Sequence, residues 1–112
     1  MNDFNSESLS LNGKPAFYAA VYSDLREIAY KYGWALGLHG SLANDMDIMA
    51  MPWTKDASSI DILIRELQAK FDGPFKGVDV KPYRGKPNGR VVYSIPIWGD
   101  LYLDINVIEK EE

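Results

Sequence analysis

Two aspartates near the middle of the chain, Asp45 and Asp47, alternate with the apolar residues Met46 and Ile48. Residues two apart on a β-strand point to the same face, so this pattern predicts two carboxylates about 7 Å apart on one side of a strand. Two full charges at that distance repel by about 2 kcal/mol at an effective dielectric constant near 20. A bound cation would relieve this repulsion, and Mg²⁺ takes hard oxygen ligands from carboxylates and substrate phosphates. The pair therefore predicts a magnesium site, with a solvated strand edge or a hairpin turn as the structural alternative.

A third aspartate, Asp104, lies in a later segment of regular alternation. One face of that segment is apolar and comprises Leu101, Leu103, Ile105 and Val107. The other face carries Asp104, and such alternation is typical of a strand with one face on the core and one open face. If this strand lies beside the first acidic strand, Asp104 joins Asp45 and Asp47 on one surface. Three carboxylates so placed can hold two Mg²⁺ ions, which stabilise the attacking and leaving oxygens in phosphoryl transfer. We therefore expect these three residues to be the catalytic and metal-binding group.

Candidate phosphate ligands precede the acidic pair. His39, the only histidine in the chain, is followed directly by a Gly40-Ser41 turn. We expect His39 to contact a nucleotide beside this turn. For His39, a hydrogen-bonded structural role at the end of a strand is the alternative.

A basic stretch late in the chain is the second candidate for phosphate binding. It places four of the 12 Lys and Arg residues within ten positions that contain no acid: Lys81, Arg84, Lys86 and Arg90. Tyr83 lies among them, and arginine and tyrosine suit phosphate binding and base stacking. This composition predicts a hairpin that faces phosphates or a nucleic acid, and we expect Arg84, Lys86 and Arg90 to bind a nucleotide. The alternative is a solvated loop that keeps an edge strand from pairing with another chain.

The elements that position these residues follow from hydrophobic periodicity. Apolar residues at helical spacing predict a first helix between Pro15 and Gly33. Ser58 and Asp61 predict a capping box for a second helix, which buries residues up to Phe71. Alternating or apolar segments predict five strands, at 34–39, 45–51, 78–83, 90–97 and 101–108. The economical arrangement is an α+β fold, a mixed sheet of about five strands with two helices packed on one face.

Composition limits the class of protein. The chain has 112 residues, of which 46% are hydrophobic, enough for one α+β domain over residues 14–112 behind a flexible lead-in of residues 1–13. It contains no cysteine, which excludes disulfides and thiolate metal sites and fits the cytoplasm. No apolar run approaches the roughly 20 residues of a membrane span, so we expect no membrane partner. The net charge of −4 argues against non-specific coating of DNA.

Gly40-Ser41, followed by Asp45-Met46-Asp47 on a strand and by Asp104 on a later strand, resembles the nucleotidyltransferase superfamily that includes DNA polymerase beta. The resemblance implies a palm-like α+β domain in which Gly40 and Ser41 contact a nucleoside triphosphate. It also implies that Asp45 and Asp47 hold two metal ions, and that Asp104 binds the catalytic metal and activates the acceptor hydroxyl. Only three residues separate Ser41 from Asp45, fewer than the family usually has.

A second resemblance covers most of residues 34–108. The segments His39-Gly40-Ser41, Met51-Pro52-Trp53, residues 86–90 and Tyr102-Leu103-Asp104 look like those of small proteins encoded by tailed bacteriophages and prophages. This resemblance implies a viral origin and a place in the cytoplasm of the host cell.

Together these observations favour a minimal nucleotidyltransferase-like protein that transfers a nucleotidyl group to a hydroxyl with Mg²⁺. Two alternatives stay open. One is a non-catalytic phage accessory protein that binds a nucleotide or a host protein. The other is an assembly protein, in which exposed tryptophans and a sheet edge form a homodimer.

Overall fold

The computed structural model describes residues 14–39, 46–99 and 101–108. Helix α1 spans Lys14–Lys31 and helix α2 spans Ile60–Gln68. The strands are β1 (Trp34–His39), β2 (Met46–Pro52), β3 (Pro82–Tyr83), β4 (Arg90–Trp98) and β5 (Leu101–Ile108), and a short 3₁₀ turn (Pro87–Gly89) precedes β4. The expected lead-in at residues 1–13 lies outside the described residues.

The five strands form one mixed sheet in the order β1-β2-β5-β4-β3. Strands β2 and β5 run parallel, and the other neighbouring pairs are antiparallel. The last strand in sequence is therefore the central strand of the sheet. This order confirms the predicted α+β fold with a mixed five-stranded sheet.

One hydrophobic core lies between the helices and one face of the sheet. Alternate residues of the strands point into it, including Ile48 of β2, Ile95 of β4 and Ile105 of β5, all fully buried. Leu25 of α1 and Leu67 of α2 are fully buried against the same cluster. Because both helices cover this face, residues 47 and 104, which alternate with the core residues, belong to the opposite face. We call it the open face.

Helix α2 begins one residue later than the sequence indicates. Ser59, not Ser58, is the N-cap, and its hydroxyl accepts a hydrogen bond from the backbone N–H of Ile62. Ser58 instead accepts a hydrogen bond from the indole N–H of Trp34, which ties the loop to β1. The predicted pairing of Ser58 with Asp61 is therefore wrong, because the Ser58 hydroxyl is used in a tertiary contact.

Strand β3 is shorter than the predicted strand 78–83. Val78 donates its backbone N–H to the carbonyl of Phe75, and its own carbonyl accepts a hydrogen bond from the side chain of Gln68. Those bonds use the backbone groups of Val78, and pairing with β4 begins at Pro82. Helix α2 also ends at Gln68, before Phe71, which packs on the core from the following turn.

A close contact fixes the connection from α1 to β1. Gly33 has a φ of +84°, and a Cβ atom there would lie 2.5 Å from the hydroxyl of Thr54 and 2.7 Å from Cα of Ala57. Its carbonyl accepts hydrogen bonds from the backbone of Trp53 and Thr54. Glycine is therefore required where the predicted helix stop lies. Within the described parts of the chain, neither helix is long and apolar enough to cross a membrane.

Candidate functional site

The parallel pairing of β2 with β5 brings two of the predicted acidic residues together. Asp47 lies directly opposite Asp104 in the register of these strands. Neighbouring strands are about 4.8 Å apart, and partners at one register point to the same face. Both side chains are half-buried on the open face. The predicted group of carboxylates depends on the strand of Asp104 lying beside the first acidic strand. For Asp47 and Asp104 the structure meets this condition.

Polar residues extend this pair across four strands. His39 of β1 lies opposite Asp47, and Ser94 of β4 lies opposite Asp104. The Ser94 hydroxyl donates a 2.7 Å hydrogen bond to Oδ1 of Asp104. We call these four residues, in the order His39, Asp47, Asp104 and Ser94, the polar row. Ser94 was not among the predicted site residues, although its position at even spacing from Arg90 on β4 places it on the same face.

The electrostatics of the row centre on Asp47. Partial burial raises the pKa of the Asp47 carboxyl, and the negative charge of Asp104 raises it further. The charges of His39, Arg90 and Lys86 act in the opposite direction and lower that pKa. The ionised form of Asp47 is therefore disfavoured by its surroundings, as expected for a carboxylate close to another carboxylate.

Asn106 joins the two acidic strands next to the row. It is 7% exposed, the buried polar residue of the sheet, and faces the same side as Asp104. Its side-chain N–H₂ donates to the carbonyl of Ile48 on β2 at 3.3 Å and to the carbonyl of Asp104 at 3.4 Å. The amide thus links the backbones beside both carboxylates. In the sequence, Asn106 is visible only as a single amide in a strand of regular alternation. That pattern does not show which atoms the amide bonds.

The predicted basic residues lie in the connection between β3 and β4. Arg84 is exposed just after β3, and Lys86 precedes the 3₁₀ turn, with Nζ 6.0 Å from the centre of the Tyr83 ring. Arg90 begins β4, and its buried Nε has no hydrogen-bond partner within the described part of the chain. Lys81 instead forms an ion pair with Asp79. The positive charges of Lys86 and Arg90 both lower the pKa of Asp47.

Three predicted site residues, Gly40, Ser41 and Asp45, lie outside the described residues. The described chain stops at His39 and resumes at Met46, so both ends of this gap adjoin the polar row. Their roles stay predictions.

Magnesium fits the chemistry of the donors that are described. Asp47 and Asp104 offer hard carboxylate oxygens on adjacent strands, and the like charge of Asp104 raises the pKa of Asp47, a repulsion that a cation would relieve. Among the residues placed by the structure, no three His, Asp or Glu side chains gather closely enough to hold a metal ion.

A separate cleft of about 510 Å³ lies between α1 and β1 and includes Tyr30, Trp34 and Trp53 among its lining residues. It shares no residue with the polar row. Because it lies around an edge strand and contains no pair of carboxylates, we assign the chemistry to the open face and not to this cleft.

No family model matches the chain, and no curated protein matches its sequence. A solved structure, described as the structural basis for the activity of a cytoplasmic RNA terminal U-transferase, superposes with a TM-score of 0.52 at 16% identity. The chain has a nucleotidyltransferase-like fold. The match covers 86% of this chain and 29% of the other, so this chain spans less than a third of the length of its structural neighbour. At this identity the comparison shows the fold alone.

Proposed function

We propose that this protein binds a nucleoside triphosphate with Mg²⁺ on the open face of the sheet and transfers a nucleotidyl group to a hydroxyl. The observation that carries the proposal is the placement of Asp47 directly opposite Asp104 on that face. The likeness of the fold to that of a terminal U-transferase supports the same chemistry. The resemblance to tailed-phage proteins extends the proposal to a viral origin and to action in the cytoplasm of the host.

In this proposal Asp45, Asp47 and Asp104 hold the metal ions. Bound Mg²⁺ supplies Lewis-acid stabilisation of charge on the phosphoryl oxygens and lowers the pKa of a bound hydroxyl. Oδ1 of Asp104 accepts the hydrogen bond from Ser94, which leaves Oδ2 to accept the proton of the acceptor hydroxyl.

Phosphate binding is assigned to the two other predicted groups. His39 lies opposite Asp47 at the end of β1. In this proposal it contacts the triphosphate together with Gly40 and Ser41, which follow it in the sequence. Arg84, Lys86 and Arg90 supply positive charge from the β3–β4 connection, and the last two already lower the pKa of Asp47. These cations offset the charge of a triphosphate beside two carboxylates.

Thermal unfolding with Mg²⁺ and each nucleoside triphosphate tests the binding step. A ligand at 100 times its Kd stabilises the folded state by about 2.7 kcal/mol, and we expect a shift of that order with one or more nucleotides. We expect Asp47→Asn and Asp104→Asn to abolish the shift. Asp56→Asn, an exposed aspartate in the loop before α2, is the matched control and should keep it.

Pyrophosphate release separates transfer from binding. Release that depends on Mg²⁺ and is lost in Asp104→Asn supports nucleotidyl transfer. Stabilisation by nucleotide without any release contradicts transfer and indicates a protein that only binds nucleotide. Unchanged unfolding with every nucleotide contradicts the proposal as a whole.

A further inference from the structure

A stretch of basic residues leads into β4, the strand of the polar row that carries Ser94. Residues 80–99 contain four basic residues and no acid, although the whole chain carries a net charge of −4. We call residues 83–90, which connect β3 to β4 and include Tyr83, Lys86 and Arg90, the basic turn. Because the whole molecule is negatively charged, it does not attract polyanions from a distance. A polyanion therefore binds this basic surface selectively only if it also makes other contacts there.

An exposed aromatic ring accompanies these charges on the open face. Tyr83 pairs with Val92, which in turn pairs with Asn106, so the register places Tyr83 on the same face as Asp104. The Tyr83 side chain is 59% exposed. A side chain at Gly85 would collide with the Tyr83 ring, so the glycine leaves room for the ring beside the basic turn.

Lys86 and Arg90 of the basic turn differ in how open they are to a ligand, since Arg90 is half-buried. Lys86 is exposed, and its contact with the Tyr83 ring is a distant one at 6.0 Å. The buried Nε of Arg90 has no hydrogen-bond partner among the residues that the structure places. Arg90 lies at even spacing from Ser94 on β4 and therefore on the open face, and the charges of both residues lower the pKa of Asp47.

We propose that the basic turn binds the acceptor of the reaction, and that this acceptor is a single-stranded nucleic acid. Lys86 and Arg90, which the proposed function places beside the triphosphate, also bind the backbone phosphate of the strand next to it, and Tyr83 stacks on an unpaired base near the terminal hydroxyl. The inference rests on the proposed function, which makes the bound strand the acceptor of the reaction. Binding of the strand can be measured without that reaction. A free nucleoside triphosphate also offers phosphates to Lys86 and Arg90. Stacking of a base on Tyr83 distinguishes a strand that is bound beside the nucleotide.

Fluorescence anisotropy with a labelled, short single-stranded oligonucleotide, repeated over a range of salt concentrations, tests the proposal. We expect wild-type binding to weaken with salt and Lys86→Ala and Arg90→Ala each to reduce the slope by about 0.7. Tyr83→Leu should weaken binding roughly fivefold or more with little change in slope, and Tyr83→Phe should bind like wild type. Lys31→Ala and Tyr30→Leu, exposed positions on α1, are the matched controls and should have no effect.

Two results overturn the inference. One is oligonucleotide binding that is unchanged in both Lys86→Ala and Tyr83→Leu. The other is a wild-type protein that binds duplex as tightly as single strand, since a paired base cannot stack on Tyr83.

Nucleotide-dependent stabilisation, measured on the same variants, keeps this test separate from that of the proposed function. If nucleotide stabilises Tyr83→Leu as it does wild type while the oligonucleotide binds it weakly, the turn serves the strand. If no nucleotide stabilises the wild type but the basic turn still binds the oligonucleotide, the proposed function fails and strand binding stands. If Tyr83→Leu loses nucleotide binding alone, the turn serves the triphosphate and the inference fails.

Discussion

At the scale of single residues, Asp47 carries the electrostatic cost of the candidate site. Burial and the charge of Asp104 raise the pKa of its carboxyl above the ordinary value of 3.8. The folded protein therefore binds this proton more tightly than the unfolded chain does. It follows that folding loses stability as the pH rises from that ordinary value through the raised one.

Asp47→Asn removes this cost, and we expect the metal-free variant to be more stable than wild type at neutral pH. The gain should be about 1 kcal/mol, the repulsion of two unit charges a strand spacing apart in a water-like dielectric. It should disappear below about pH 3.8, where the carboxyl is protonated in both states. Urea unfolding across this pH range in the presence of a chelator measures the difference. An equal gain at all pH values would show that the charge is not its cause.

Ser94 positions Asp104 through their 2.7 Å hydrogen bond. A partner that orients a ligating carboxylate typically changes metal affinity by about 10- to 100-fold, so we expect Ser94→Ala to weaken Mn²⁺ binding by at least tenfold. Ser94→Thr keeps the hydroxyl and should bind Mn²⁺ like wild type. Calorimetric titration with Mn²⁺ measures both variants. Equal affinity in Ser94→Ala would remove Ser94 from the site.

At the scale of elements, the loop between β2 and α2 divides its polar contacts between two adjacent serines. Ser59 caps the helix, whereas Ser58 bonds to the indole of Trp34. The two hydroxyls are equivalent in the sequence pattern, because either could precede the apolar run of α2. The tertiary contact with Trp34 decides which of them is the cap.

We expect Ser59→Ala to lower the free energy of unfolding by about 1 kcal/mol, because the N–H of Ile62 loses its acceptor. Ser59→Asp retains an acceptor at the N-cap and should be as stable as wild type. Denaturant unfolding compares the two variants. A loss of stability in Ser59→Asp as large as in Ser59→Ala would contradict the assignment of this cap.

At the scale of the whole molecule, α1 is tied to the central strand of the sheet. The hydroxyl of Tyr18, a fully buried residue, accepts a 3.2 Å hydrogen bond from the backbone N–H of Tyr102. This bond joins the start of the described chain to its last strand, which carries Asp104.

Tyr18→Phe removes that acceptor and leaves the ring in place. We expect a loss of about 1 to 3 kcal/mol in the free energy of unfolding, because the N–H of Tyr102 remains without this partner. Denaturant unfolding measures the loss, with Tyr30→Phe on the exposed side of α1 as the control. If both variants lose equal stability, the buried bond is not responsible.

Hydrophobic periodicity predicted the α+β class, five strands and most of their bounds. It succeeded for β5 because strict alternation assigns Leu103 and Asp104 to opposite faces whatever the neighbouring strands are. It failed at segment 78–81. There the carbonyl of Val78 bonds to the side chain of Gln68, and pairing with β4 begins only after this segment. It also could not identify Ser94 and Asn106, whose importance lies in the atoms they bond across the sheet.

The sequence by itself determined which residue types are available and which local face each side chain takes, because both depend on neighbours within a few positions. Only the tertiary structure placed β5 between β2 and β4 and so brought Asp104 beside Asp47. The order of strands depends on which edges pair their backbone groups and on how the helices cover the core once distant segments meet. The candidate site is therefore encoded as separate aspartates and exists as a pair only in the folded sheet.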